Sequence, residues 1–190
     1  MPLFTVSEIF DIIIMTLAVG YIFSGIFKRP APEDYDPLKH FKSGFDFNDL
    51  KFAILITAPA IILHELGHKF AALSFGLHAE FQAAYFFLAL GLMLKLMSFP
   101  FIFFVPAYVS ILGQAAPIEF SIVAFAGPAV NLILWLASLL AIKQKLFSRK
   151  YEQMLLLTSK INMFLFIFNM LPIPGFDGNK VFIGLIHAFF

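Results

Sequence analysis

The residues His64-Glu65-Leu66-Gly67-His68 form the one short run in this chain whose types and spacing match a known catalytic arrangement. On a helix, residues four apart share a face, so His64 and His68 can present two imidazoles to a single metal ion. Glu65 lies beside them, where a carboxylate can take a proton from an attacking water. This H-E-x-x-H spacing is the one that zinc peptidases use. The surrounding stretch is apolar, and an acid near the centre of a membrane helix costs about 2.5–3.5 kcal/mol on the insertion scale. The plainer reading is a polar cluster that ties helices together by hydrogen bonds.

Catalytic zinc ordinarily keeps three protein ligands and one open position. The chain has no cysteine, so the third must be His, Asp or Glu. His40, Asp46 and Asp49 lie in a polar linker. His78 and Glu80 follow the motif, Glu119 precedes a later apolar stretch, and His187 lies in the C-terminal tail. Asp177 sits in Leu171-Pro172-Ile173-Pro174-Gly175-Phe176-Asp177-Gly178, where an apolar stretch breaks. Prolines there open the backbone, and Gly178 lets it approach closely. An acid among apolar residues needs a partner. Asp177 reads equally well as a ligand and as a turn or capping aspartate for the tail.

The elements that must position these groups are membrane helices. Of the 190 residues 61% are hydrophobic and 13% charged, more apolar than a soluble core of that length can bury. Net charge is +1, which gives no electrostatic case for nucleic acid. The N-terminus lacks the basic region of a secretory signal, so the first apolar stretch is expected to stay as an anchor. That stretch runs from about Ile9 to Phe27, and the others from Phe52 to Phe75, Ala83 to Val105, Phe120 to Ile142 and Met154 to Leu171, with a short tail from Val181. The third is broken by Lys95, Pro100 and Pro106 and reads as an interrupted helix or a re-entrant hairpin. The expected fold is an all-α polytopic membrane protein with about 4–6 transmembrane helices and a re-entrant segment, able to hold β structure, near the site. Residues 1–51 are expected to form an N-terminal helix and polar linker, and residues 52–190 the core.

With these residues in hand, the chain resembles the site-2 protease family of intramembrane zinc metalloproteases. His64-Glu65-Leu66-Gly67-His68 is similar to the family's H-E-x-G-H, and Gly127-Pro128-Ala129-Val130-Asn131 to its G-P-x-x-N. Asn169-Met170-Leu171-Pro172, continuing to Asp177-Gly178, is similar to its N-x-x-P…D-G. The resemblance implies His64, His68 and Asp177 as ligands of one zinc ion and Glu65 as general base. It also implies that Asn131 and Asn169 line the cleft, as donors to the substrate strand or the developing oxyanion. Taken as residues alone, Gly127-Pro128 reads as a helix start and Asn131 as interhelical glue. The chain departs from the pattern in carrying no PDZ or CBS segment. It also ends soon after Gly178, so the final helix is expected to be cut short or completed by another chain.

The motifs must share one membrane face. That requires the region between Gly76 and Glu119 to start and end on the same side, by a re-entrant or doubly crossing segment. Orientation divides the signals. The resemblance puts the site of this multi-pass cell-membrane protein toward the cytosol. Lys28, Arg29, Lys39, Lys42 and Lys51 with Lys143, Lys145, Arg149 and Lys150 would place the opposite loops there instead. The expected activity is hydrolysis of a peptide bond in transmembrane or membrane-proximal segments of membrane proteins. The rival readings are a catalytically silent zinc scaffold, against which the intact Glu65 argues, and an ion-relaying transporter, against which the lack of inverted repeats argues.

Overall fold

A computed structural model describes residues 3–27, 46–99 and 105–190. His40, the linker from 28 to 45 and the break at Pro100 lie outside the described residues. In chain order the elements are α1 (Val6–Phe23), α2 (Phe47–Ser74), β1 (His78–Ala83), α3 (Tyr85–Leu96), β2 (Ala107–Leu112), α4 (Pro117–Lys143), a 3-10 turn (Arg149–Tyr151), α5 (Glu152–Asn169) and α6 (Asp177–Phe189). The protein is an all-α polytopic membrane protein with one small sheet.

Among the described residues, α1, α2 and α4 are long and apolar enough to cross a membrane, and only 28–39% of the residues in those spans are buried. The rest present side chains such as Leu17, Leu55, Ile133 and Leu136 outward, as lipid contact requires. α5 has 18 residues, enough for about 27 Å of helix. Glu152, Gln153, Thr158, Ser159, Lys160 and Asn162 make it less apolar than the other three. α6, with 13 residues, is too short to cross alone.

Helix α4 is the hub, packed against α2, α5 and α6. Pro117 occupies its first turn, where a missing N–H costs nothing. Pro128 lies well inside the helix, so Gly127-Pro128 is not the helix start that its residues alone suggested. α1 packs against α2, β1 and α3. Met15 and Val19 of α1 form a core with Phe81, Ala83, Leu88 and Ala107.

The region after α2 returns to where it began. β1 and β2 pair antiparallel, with His78 opposite Leu112 and Ala83 opposite Ala107. α3 leaves from the end of β1 and runs along α1. At its far end Lys95 donates to the Tyr21 carbonyl and, at 2.8 Å, to Ser24 Oγ. The interrupted third stretch is therefore a hairpin with a helix in its loop, and its two feet lie side by side.

Acids on α1 fasten this hairpin. Thr5 caps α1, and Glu8 Oε2 accepts from the Thr5 N–H at 2.8 Å. The other oxygen, Oε1, accepts from the Phe81 N–H at 2.7 Å and from Lys69 Nζ. Both Glu8 and Lys69 are 2% exposed. One turn on, Asp11 accepts from the Ala83 N–H at 3.1 Å and from the Tyr85 hydroxyl. Glu8 and Asp11 thus stand where a neighbouring strand would, and satisfy N–H groups on the outer edge of β1.

Candidate metal centre

Periodicity places His64 and His68 one above the other on α2, and both are buried. Each ring is held from behind. His68 Nδ1 lies 2.8 Å from the Val123 carbonyl, which can only accept, so Nδ1 carries the hydrogen. His64 Nδ1 lies 2.5 Å from Asn131 Oδ1. Asn131 Nδ2 donates to the Ala60 carbonyl at 3.1 Å and to Asn162 Oδ1 at 2.9 Å, which leaves its oxygen for His64. Both imidazoles therefore have Nε2 free of hydrogen and aimed at a common point.

Asp177 completes that point. It is the first residue of α6, and its Oδ2 lies 3.2 Å from His64 Nε2 and 3.1 Å from His68 Nε2. The two Nε2 atoms are themselves 3.1 Å apart. Two lone pairs and a carboxylate oxygen would repel at such distances unless a cation lies between them. Tetrahedral zinc, with bonds of about 2.0–2.1 Å, sets its ligands about 3.3 Å apart, so this donor set fits it. Lys180, one turn along α6, stands 3.4 Å from Asp177 Oδ1.

Close packing makes room for the centre. A Cβ on Gly127 would fall 2.3 Å from His68 Nε2 and 2.8 Å from His64 Nε2, so α4 can lie over the two rings only with glycine there. A Cβ on Gly178 would meet the Met170 backbone at 2.4 Å, so the first turn of α6 can fold back on the end of α5 only without a side chain.

The group opens into a cavity of about 340 Å³. Glu65, His64, His68 and Asp177 form its polar wall, with Asn169 and Lys180 at the side of α5 and α6. β2 supplies Ala107, Tyr108, Val109 and Ile111, and Phe164, Leu165 and Phe168 close the apolar side. Asn169 thus reaches the cleft. Asn131 is not among the residues lining the cavity: it is fully buried behind His64, and its amide is used up within the protein.

The other candidate ligands lie elsewhere. Asp46 caps α2 through the Asn48 N–H, Asp49 is in its first turn, and Glu119 caps α4 through the Ala116 N–H. His78 and Glu80 pair with each other at 3.7 Å on β1. His187 lies in the last turn of α6. Among the described residues, His64, His68 and Asp177 are the group whose ligand atoms converge. Sequence reasoning missed Asn162 and the Glu8–Lys69 pair. The available signals were an Asn in an apolar stretch and a Lys directly after the motif, each needing a buried partner.

A curated protein of Methanocaldococcus jannaschii, provisionally named a zinc metalloprotease, is 36% identical over 185 residues, covering 94% of this chain and 84% of that protein. The chain belongs to the family of that zinc metalloprotease. The matched span takes in nearly every element described above, so the shared class rests on the whole fold and not on the short motif alone. The buried His64, His68 and Asp177 cluster suits the metal that the class requires. No family model and no solved structure matches the chain.

Proposed function

We propose that this metalloprotease is of the site-2 protease type and hydrolyses a peptide bond in transmembrane or membrane-proximal segments of membrane proteins, regulated intramembrane proteolysis being its task. The observation that carries the reading is the convergence of His64, His68 and Asp177, with Glu65 beside them, at a cavity walled by apolar helices. His64, His68 and Asp177 would hold one zinc ion per chain. Zinc bound there would polarise a carbonyl and acidify water. Glu65 would take the proton of the attacking water and hand it to the leaving amine. Asn169, on the cavity wall, would donate to the substrate or to the developing oxyanion. A helix hides its peptide bonds, so the substrate must unwind before it is cut. An unwound segment would lie along β2, which lines the cavity and whose far edge has no strand partner among the described residues, while the edge of β1 is taken by Glu8 and Asp11. We place the site of this multi-pass cell-membrane protein toward the cytosolic face.

The test is to incubate the purified protein in liposomes with a panel of single-span membrane proteins, before and after chelation. Cleavage should stop on chelation and return with zinc. Zinc content should fall in His68→Ala and Asp177→Ala. Full zinc content in those variants, or chelator-resistant cleavage, would contradict the assignment.

A further inference from the structure

We propose that Asn162 is a positioning residue for the metal centre, acting on His64 through Asn131. The proposal rests on the zinc reading above, and concerns a helix that supplies no ligand.

Asn131 and Asn162 are both fully buried, on α4 and α5. A buried amide must spend its donors and acceptor within the protein. Asn162 Nδ2 donates to the Thr158 carbonyl at 2.8 Å, one turn back on its own helix. That carbonyl can only accept, so the orientation of the Asn162 amide is fixed and Oδ1 faces α4. Asn131 meets it with Nδ2 at 2.9 Å and places the second hydrogen of the same nitrogen on the Ala60 carbonyl at 3.1 Å. The Asn131 oxygen is left for His64 Nδ1, at 2.5 Å.

Consider the reverse arrangement. An inverted Asn131 would set its oxygen against two acceptors and offer N–H to His64 Nδ1. His64 would then have to carry its hydrogen on Nε2, the atom that faces His68 and Asp177, and could not bind a metal. Asn162 supplies one of the two acceptors that forbid this inversion. Ala60 supplies the other, and its carbonyl is the one that the His64 backbone N–H reaches in a regular helix. The chain of bonds therefore runs from α5 through α4 to one ligand on α2. α5 also leads directly into the segment that delivers Asp177. Two of the three ligands thus take their placement from the same helix.

Outer partners of metal-bound histidines typically change metal affinity by 10–100-fold. Asn162 stands one residue further out, so the expected loss is about 10-fold. The experiment measures zinc affinity of the full-length protein in detergent by competition with a chromogenic chelator, alongside its thermal melting. Asn162→Ala should weaken zinc about 10-fold, and Asn162→Leu, which fills the space without the acceptor, should do the same and serves where the alanine variant does not fold. Asn162→Asp, whose neutral acid reproduces both bonds, should restore affinity. In the Asn131→Ala background Asn162→Ala should add nothing. Unchanged zinc affinity in a folded Ala or Leu variant would overturn the proposal, as would losses that add in the double variant. Wild-type protein that takes up no zinc would overturn the reading beneath it, a result distinct from variants that match a zinc-binding wild type.

Discussion

At the residue scale, the proposed hydrolysis turns on Glu65. It neighbours both histidines and faces the cavity. Glu65→Gln keeps the size and removes the base. It should retain zinc and lose about 10²–10⁴-fold in hydrolysis, the usual cost of a missing general base. Zinc content and turnover measured on the same preparation check this, and wild-type turnover would remove Glu65 from the mechanism. His64 and His68 were legible because their spacing encodes a shared helix face. Asp177 was legible as a candidate because a proline-broken apolar stretch leaves an acid there among apolar residues, in need of a partner. The partner of Asn131 was not legible. A buried amide requires some partner, but which one depends on helix rotation and on a second amide, Asn162, 31 residues away.

At the element scale, the hairpin from β1 to β2 and its attachment to α1 decide the architecture. Parity alone required the segment between Gly76 and Glu119 to come back, and the pairing of His78 with Leu112 meets that requirement. The helix inside the hairpin was harder to read. Its twelve residues are apolar except for Lys95 and look like part of a span, and the bonds of Lys95 to the end of α1 come only with the three-dimensional arrangement. Single cysteines placed at His78 and Gln114 in this cysteine-free chain should label from the same side of sealed vesicles. Labelling from opposite sides would break the hairpin account. Glu8 makes the attachment to α1, and Lys69 is its buried partner. Glu8→Ala leaves an uncompensated ammonium next to His68 and frees the Phe81 N–H, a change that costs about 3–5 kcal/mol in buried pairs. The melting temperature in detergent should drop sharply, and an unchanged one would show that the Glu8–Lys69 pair does not hold α1 in place.

At the scale of the whole molecule, apolar outer faces enclose a cleft that is polar only on the wall formed by Glu65, His64, His68 and Asp177. α1, α2 and α4 turn most of their surface outward, and the centre lies between the C-terminal half of α2 and the start of α6, under the N-terminal half of α4. On the proposed reading, substrate would arrive from the lipid and be opened to extended form within reach of Glu65. This much follows from hydropathy and motif order, whereas the cavity and its β2 wall needed the three-dimensional arrangement. The most direct measurement is the position of the cut. Wild-type protein and Glu65→Gln are reconstituted with a single-span substrate and zinc, and the products are mapped by mass spectrometry. The account predicts one or a few cuts within the apolar span or at its edge, made by wild type and not by Glu65→Gln. Cuts confined to soluble domains, or made equally by both proteins, would contradict it.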